Sequence, residues 1–309
     1  MSAPRILFHR DFLEYTGGHG KVWDYFRHAI ALGWDARVFL TPRSLRGDAN
    51  PWSQMPSRVE NEFRPEGADI LFLAGMDWAA LEDPRTPGVP VINLVQHVRH
   101  AWEDYPLRQF LKAPAHRICV SGPVADAIKA TGEVNGPVSV IPAALDFPVA
   151  AREGLAGSEA PVVIAGMKQP VLARELAEAL QRRDIAAELM TEWMPRSRYL
   201  ERVAAARVAV MLPHLREGFY LPALEAMALG VPVVTLDCIG SREYQRPGEN
   251  CLVADPDVAS LEASVGQALE PGTALLLVEH GRATAMAYTL EREREAFGAI
   301  LDSISRSVA

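Results

Sequence analysis

The chain has 309 residues, 49% hydrophobic and 23% charged, with a formal net charge of −8. That length suits two domains of ~150 residues, each able to bury a core, and the acidic balance argues against nucleic acid as a general partner. Cys119, Cys238 and Cys251 lack C-x-x-C spacing and read as core thiols rather than zinc ligands. The early charges of MSAPRILFHR and the lack of an apolar run of ~18 residues point away from a signal peptide and a membrane span. The expectation is a cytoplasmic protein, at most peripheral to a membrane.

Arg5 to His9 predicts a strand, Lys21 to Leu32 a helix closed by Gly33, and residues 36–40 a second strand, together a βαβ unit. The turn between them fails as a dinucleotide site. Gly18-His19-Gly20 runs on without a third glycine, and the second strand ends in Phe39-Leu40-Thr41-Pro42, with no acid for a ribose. A nicotinamide enzyme is therefore disfavoured. Gly17 and Gly18 fit equally a tight turn with positive φ and the close approach of a ligand. Residues 41–67 read as loop with at most a short helix. Buried-type strands follow at 68–75 and 89–97, the second ending in Gln96-His97. A histidine there is either a structural residue or a ligand-facing one, because ligands of parallel sheets gather at strand C-terminal ends.

Residues 98–118 mix Arg99, His100, Arg108, Lys112, His116 and Arg117 with aromatics. They read as a solvated helix face or as a basic face for lipid, with Glu103 and Asp104 diluting the charge. Strand, Ser121 and helix follow over 116–130, then a strand in VSVIPAALDF (138–147). The polar stretch Val149 to Ala160 marks a domain boundary. A second sheet starts at PVVIAG (161–166); Lys168 precedes the helix VLARELAEALQRR and is either a ligand contact or a surface lysine. Residues 187–212 continue as strand, turn, helix, strand, and residues 283–305 carry a long amphipathic helical pattern.

The densest signal lies in PHLREGFYLPALEAMALGVPVVTLDCIGSRE (213–243). A strand (208–212) ends in Pro213-His214, a loop holds Glu217, Gly218, Phe219 and Tyr220, and a helix starts near Leu221-Pro222, since proline is favoured in a first helical turn. Gly230 ends that helix and VPVVTL is the next strand. Gly218 lets the backbone approach a ligand, and the amides of Gly218 to Leu221 head a helix whose start carries roughly half a positive charge, which suits a diphosphate. Glu217 and Glu225, with seven residues between them, frame this anion site. A carboxylate beside a phosphate serves sugar or ribose hydroxyls instead, as an acceptor. On spacing alone, two solvated glutamates on an ordinary helix remain an alternative.

EGFYLPALEAMALGVPVV resembles the signature of the retaining family-4 glycosyltransferases, glycosyl transferases group 1. These carry two glutamates seven residues apart, glycine-phenylalanine after the first, and an EAMA-G-PVV continuation. The resemblance implies a GT-B fold: α/β, two Rossmann-like domains with parallel sheets facing across a cleft. The first, 1–149, takes the acceptor; the second, 150–309, takes the nucleotide sugar, and its last helix packs back on the first. It implies Glu217 orienting the sugar, Glu225 on the ribose, and His97 beside the sugar ring; Gly17 and Gly18 lie near donor phosphate or acceptor. Donor phosphates fall to Lys168 and to Gly218, Phe219, Tyr220 and Leu221, and the base to Glu192–Pro195. Ile141, Pro142 and Asp146 match the family's step at the end of the first domain. His19 and Lys21 are acceptor-side candidates. One departure stands out. Relatives follow the glycine of the first strand with an arginine and then a lysine; Gly166-Met167-Lys168-Gln169-Pro170 leaves Lys168 alone, or shifts a charge to Arg174 or Arg196.

The expected activity is retaining transfer of a hexose-type sugar from a nucleotide-diphosphate donor to a glycan, lipid-linked or small-molecule acceptor, as in polysaccharide biosynthesis. Neither metal nor cofactor is expected, and no general base. A non-catalytic scaffold on the same fold, or an epimerase, is the alternative. Turnover of a sugar nucleotide separates them.

Overall fold

The alternation of short apolar strands with helices, visible throughout the sequence, becomes two parallel sheets. A computed structural model of the chain describes residues 3–147 and 154–308. The chain divides into two units, residues 1–143 with 290–309, and residues 144–289. The division falls after Ala143 rather than at 149/150. Leu145 already belongs to the second unit's core and its N–H donates to the Tyr288 carbonyl. Of the linker expected at Val149 to Ala160, residues 149–153 lie outside the described residues.

In the first unit the order is β1 (Arg5–Arg10), α1 (Gly17–Ala31), β2 (Asp35–Leu40), β3 (Val59–Glu60), β4 (Ile70–Ala74), β5 (Val91–Val95), β6 (His116–Cys119), α2 (Gly122–Lys129) and β7 (Val138–Val140). These strands pair in the order β3-β2-β1-β4-β5-β6-β7, all parallel. β1, β4 and β5 are buried along almost their whole length, as strands covered on both faces must be. Ser121 caps α2, its Oγ accepting from the Val124 N–H at 3.3 Å. The second unit runs β8 (Val162–Ala165), α3 (Pro170–Arg182), β9 (Ala187–Met190), α4 (Arg196–Ala205), β10 (Val208–Met211), α5 (Leu221–Ala228), β11 (Val233–Leu236), β12 (Leu252–Ala254), α6 (Val258–Leu269) and α7 (Pro271–Ala285). Its parallel sheet has the order β12-β11-β10-β8-β9. The last helix, α8 (Leu290–Val308), belongs to the first unit.

Four elements differ from the sequence reading, the first being the two-residue strand β3, which pairs with β2 inside the stretch 41–67 read as loop. α1 starts at Gly17 rather than Lys21, because Thr16 caps it and both glycines fall in its first turn without positive φ. The helical pattern of 283–305 is broken between α7 and α8. There the Tyr288 carbonyl accepts from Leu145, and Thr289 bridges to the same residue. Residues 98–118 form two 3₁₀ turns, Val98–Ala101 and Arg108–Lys112, not an amphipathic helix. Arg117 is fully buried, donating to the carbonyls of Phe110, Leu111, Ala113, Ala115 and Asn135. His100 is buried too, and burial pushes its imidazole down to about 3. The basic face thereby loses two of its charges. Among the described residues no helix is long and apolar enough to cross a membrane.

Candidate active site

The strand–loop–helix expected around the paired glutamates forms at the C-terminal edge of β10. Pro222 sits in the first turn of α5, where its missing N–H removes no helical bond, and Gly230 leaves the helix at φ 71°. Between strand and helix, residues 214–220 turn back, with the Glu217 N–H donating to the His214 carbonyl. The following loop supports this turn from beneath. Ile239 N–H donates to the Leu215 carbonyl and Gly240 N–H to the Glu217 carbonyl, both at 2.8 Å. Gly240 lies so close that an added Cβ would stand 2.2 Å from the Gly218 carbonyl group and 2.5 Å from the Phe219 nitrogen. The buried Tyr244 hydroxyl donates to the Tyr220 carbonyl at 2.5 Å. Phe219 packs its ring against Tyr244 and Tyr288, and Leu221 packs on the second unit's core. The side chains of 219–221 therefore hold the loop, and the first-turn amides of α5, which like those of any helix start have no partner within the helix, face the position an anion would take.

Lys168 and Glu217, from the loops after β8 and β10, come together at 2.5 Å. Lys168 Nζ also stands 5.6 Å from the centroid of the Tyr220 ring. Gln169 Nε2 donates to the Pro213 carbonyl at 2.5 Å and ties the two loops. A half-exposed pair of this kind contributes about 1 kcal/mol or less to stability, so its interest lies in what it can exchange for.

Glu225 is buried one turn into α5, and Arg196 Nη1 donates to its Oε1 at 2.7 Å. Arg196 Nη2 donates to Asp146 Oδ1 at 2.5 Å. Burial pushes the Glu225 carboxyl up to about 7; Arg196 opposes the rise and Asp146 adds to it. Arg196 thus joins the two carboxylates, while Arg174 is exposed on α3. The sequence suggests neither this bridge nor the support from Gly240; the Ile-Pro-x-x-x-Asp step does single out Asp146. Glu192–Pro195 forms the loop between β9 and α4, with the Trp193 indole exposed.

The remaining candidates sit in the first unit. His97 follows β5 and caps the first 3₁₀ turn, its Nδ1 accepting from the Arg99 N–H at 3.0 Å, with Trp102 against its ring. The Gly18 carbonyl accepts from Gln96 Nε2 at 3.2 Å, and nothing lies within 4 Å of where a Cβ on Gly17 would be. Lys21 is not an acceptor contact: it is buried between Asp24 and Glu293, at 2.8 and 3.0 Å. The cysteines are buried thiols. Among the described residues no cluster of three or more His, Cys, Asp or Glu is placed to hold a metal ion.

Two parallel sheets with this order define a GT-B fold, and solved structures bear it out along the whole chain. Sucrose-phosphate synthase from Thermosynechococcus elongatus superposes with a TM-score of 0.69 at 15% identity, over 98% of this chain and 100% of that one. HepE of Anabaena, in complex with UDP-glucose, superposes with a TM-score of 0.69 at 14% identity, over 97% and 99%. By sequence, residues 136–271 match the family described as glycosyl transferases group 1. A D-inositol 3-phosphate glycosyltransferase from Acidothermus cellulolyticus is 32% identical over 161 residues, 50% of this chain and 35% of that protein. An MMP alpha-(1->4)-mannosyltransferase from Mycolicibacterium hassiacum is 40% identical over 87 residues, 27% and 21% of the two chains. The matched segments thus cover about a third or less of those curated relatives.

Proposed function

We infer that the chain is a glycosyltransferase that draws a hexose-type sugar from a nucleoside-diphosphate donor held by its second unit. The observation that carries this reading is the Lys168–Glu217 pair beside the head of α5, braced by Gly240. In the ligand-free chain the lysine neutralises the glutamate. A bound diphosphate takes over Lys168 and the amides of α5, and releases Glu217 to accept from sugar hydroxyls. Glu225 accepts from the ribose, and the exposed Trp193 indole offers a flat apolar face to the base. HepE's complex with UDP-glucose makes a uridine donor the first to try.

In transfer, the bond between the sugar C1 and the β-phosphate oxygen breaks with its electron pair going to the diphosphate. Lys168 and the α5 amides stabilise that charge, an electrostatic contribution that needs neither cofactor nor resident metal. The acceptor hydroxyl forms the new bond on the same face of the sugar, and its proton leaves with the phosphate oxygen. No side chain is assigned as nucleophile or general base, and the configuration is retained. The acceptor is a glycan, a lipid-linked sugar or a small molecule. A lipid-binding surface on residues 98–118 is not included, because Arg117 and His100 are buried there. His97 is assigned to catalysis in the first unit, distinct from donor affinity.

The test is release of UDP from UDP-glucose, with and without added sugar acceptors, by the full chain. Glu217→Ala abolishes acceptor-dependent release if the reading holds. His97→Ala lowers turnover and leaves the Kd for UDP unchanged. Equal release by Glu217→Ala and wild type refutes the role of Glu217.

A further inference from the structure

The first sheet has its own switch point. Strands run outward from the adjacent pair β1 and β4, in one direction through β2 and β3 and in the other through β5, β6 and β7. In an open parallel sheet the crevice at the carboxyl ends of such a pair is where ligands bind. Three chain segments place chemistry there. Arg10 is the last residue of β1, Asp77 lies just beyond β4, and His19 stands in the first turn of α1.

Their contacts form a chain. The Asp77 carboxylate is buried; its Oδ2 accepts from Arg10 Nη1 at 2.6 Å and from the Ala74 N–H at 2.9 Å, and its Oδ1 meets His9 Nδ1 at 3.1 Å. Arg10, 9% exposed, reaches on from this anchor, and its Nη2 lies 2.9 Å from His19 Nδ1. A guanidinium nitrogen only donates. Nδ1 of His19 therefore accepts, and the one proton of the neutral ring sits on Nε2. The ring leans on Phe12 at 4.8 Å between centroids, which fixes its plane. Among the described residues Nε2 meets no protein partner.

Protonation of this ring is opposed on both sides. Burial is the larger influence and Arg10 the next, against weaker pulls from Asp77 and Asp11, and together they hold the imidazole at about 4. His19 is thus neutral across physiological pH and a poor general base, and it carries one oriented N–H.

We propose that His19 is a fixed-tautomer hydrogen-bond donor, through Nε2, to an oxygen of the acceptor substrate bound at the β1/β4 switch point, with Arg10 and Asp77 as its positioning residues. The word acceptor rests on the glycosyltransferase reading; the site itself does not, since all its residues lie in the first unit. The N–H serves a hydroxyl or a phosphate oxygen alike. Its partner is an oxygen acceptor on a sugar or a sugar phosphate.

The test is imidazole 15N NMR on the full chain, with glucose and glucose 6-phosphate as paired probes. Before any probe, His19 shows a pyridine-type Nδ1 and a pyrrole-type Nε2 from pH 8 to pH 5. Saturating probe then shifts the Nε2 resonance. Response to both sugars assigns the partner to a hydroxyl, and response to glucose 6-phosphate alone assigns it to phosphate. His19→Phe, which keeps the packing on Phe12, weakens probe binding at least tenfold, and His19→Gln, which restores an N–H near the Nε2 position, recovers most of it. Arg10→Gln moves the His19 titration up toward the ordinary histidine range. A proton on Nδ1, a ring that neither sugar perturbs, or equal probe binding by His19→Phe and wild type overturns the proposal. UDP binding on the same samples reports separately on the donor site, so a failure there is told apart from a failure here.

Discussion

The Arg196 guanidinium holds the Glu225 carboxylate at 2.7 Å although that side chain is 4% exposed and burial drives it toward its neutral form. A carboxyl held at about 7 in the folded chain stands above the ~4.3 of an unfolded glutamate. The folded state then binds the proton more tightly, and stability falls as pH rises from the unfolded value through about 7. The full contribution is roughly 4 kcal/mol, since each tenfold difference in proton affinity between the two states is worth about 1.4 kcal/mol. Denaturant unfolding between pH 5 and 8 shows this decline in wild type, and Glu225→Gln flattens it. An unchanged slope in the variant would place the proton elsewhere.

Gly240 has no room for a methyl group, with the Gly218 carbonyl 2.2 Å from its would-be Cβ. Because the neighbour is backbone, Gly240→Ala displaces the loop that carries Glu217 and the head of α5. The expected loss is about 1 to 3 kcal/mol of stability, together with at least a tenfold weaker Kd for the nucleotide by calorimetry. A variant that loses stability and keeps its nucleotide affinity would show that the loop's position is not what binds.

The strand–loop–helix at 208–236 was legible because its punctuation is local. Pro222 and Gly230 set the helix limits within a residue or two, and the paired glutamates sit on either side of one turn. The tie between Arg196, Glu225 and Asp146 was not legible, since its partners lie 29 and 50 residues from Arg196 in the chain. The break before α8 is of the same kind: the helical pattern of 283–305 runs through it, and Leu145, far away in the chain, pairs there with Tyr288 and Thr289. Local signals also misled at α1. Gly17 and Gly18 look like turn residues, yet the Thr16 hydroxyl caps the His19 N–H and draws both into the helix.

Glu293 on α8 accepts from Lys21 Nζ, at 3.0 Å through Oε1, and meets His28 Nε2 at 2.9 Å, all three buried. Burial alone raises the Glu293 carboxyl, but Lys21 and His28 outweigh it and the net shift is downward. Its contribution is therefore present above the unfolded glutamate range and is lost as pH falls through the lowered folded value. Glu293→Ala leaves Lys21 buried with Asp24 as its carboxylate partner and costs about 3 to 5 kcal/mol, read from urea unfolding at pH 7. A loss below about 1 kcal/mol, the level of an exposed pair, would mean that the network contributes little.

Lys168 and Glu217 separate stability from function. Their pair is half exposed, so Lys168→Ala changes stability by no more than about 1 kcal/mol. The same substitution removes a cation that stands beside Tyr220 at the head of α5 and weakens nucleoside-diphosphate binding at least tenfold. Comparable affinity in variant and wild type would move the diphosphate away from Lys168.

The most direct measurement is a thermal-shift panel of UDP, GDP and TDP with wild type and Lys168→Ala. Ligand at ~100 times its Kd adds about 2.7 kcal/mol to the folded state, which raises Tm by a few degrees for a chain of this size. The account predicts that one nucleoside diphosphate stands out, and that its shift shrinks in the variant at the same concentration. A flat panel in wild type would contradict the donor site at the head of α5.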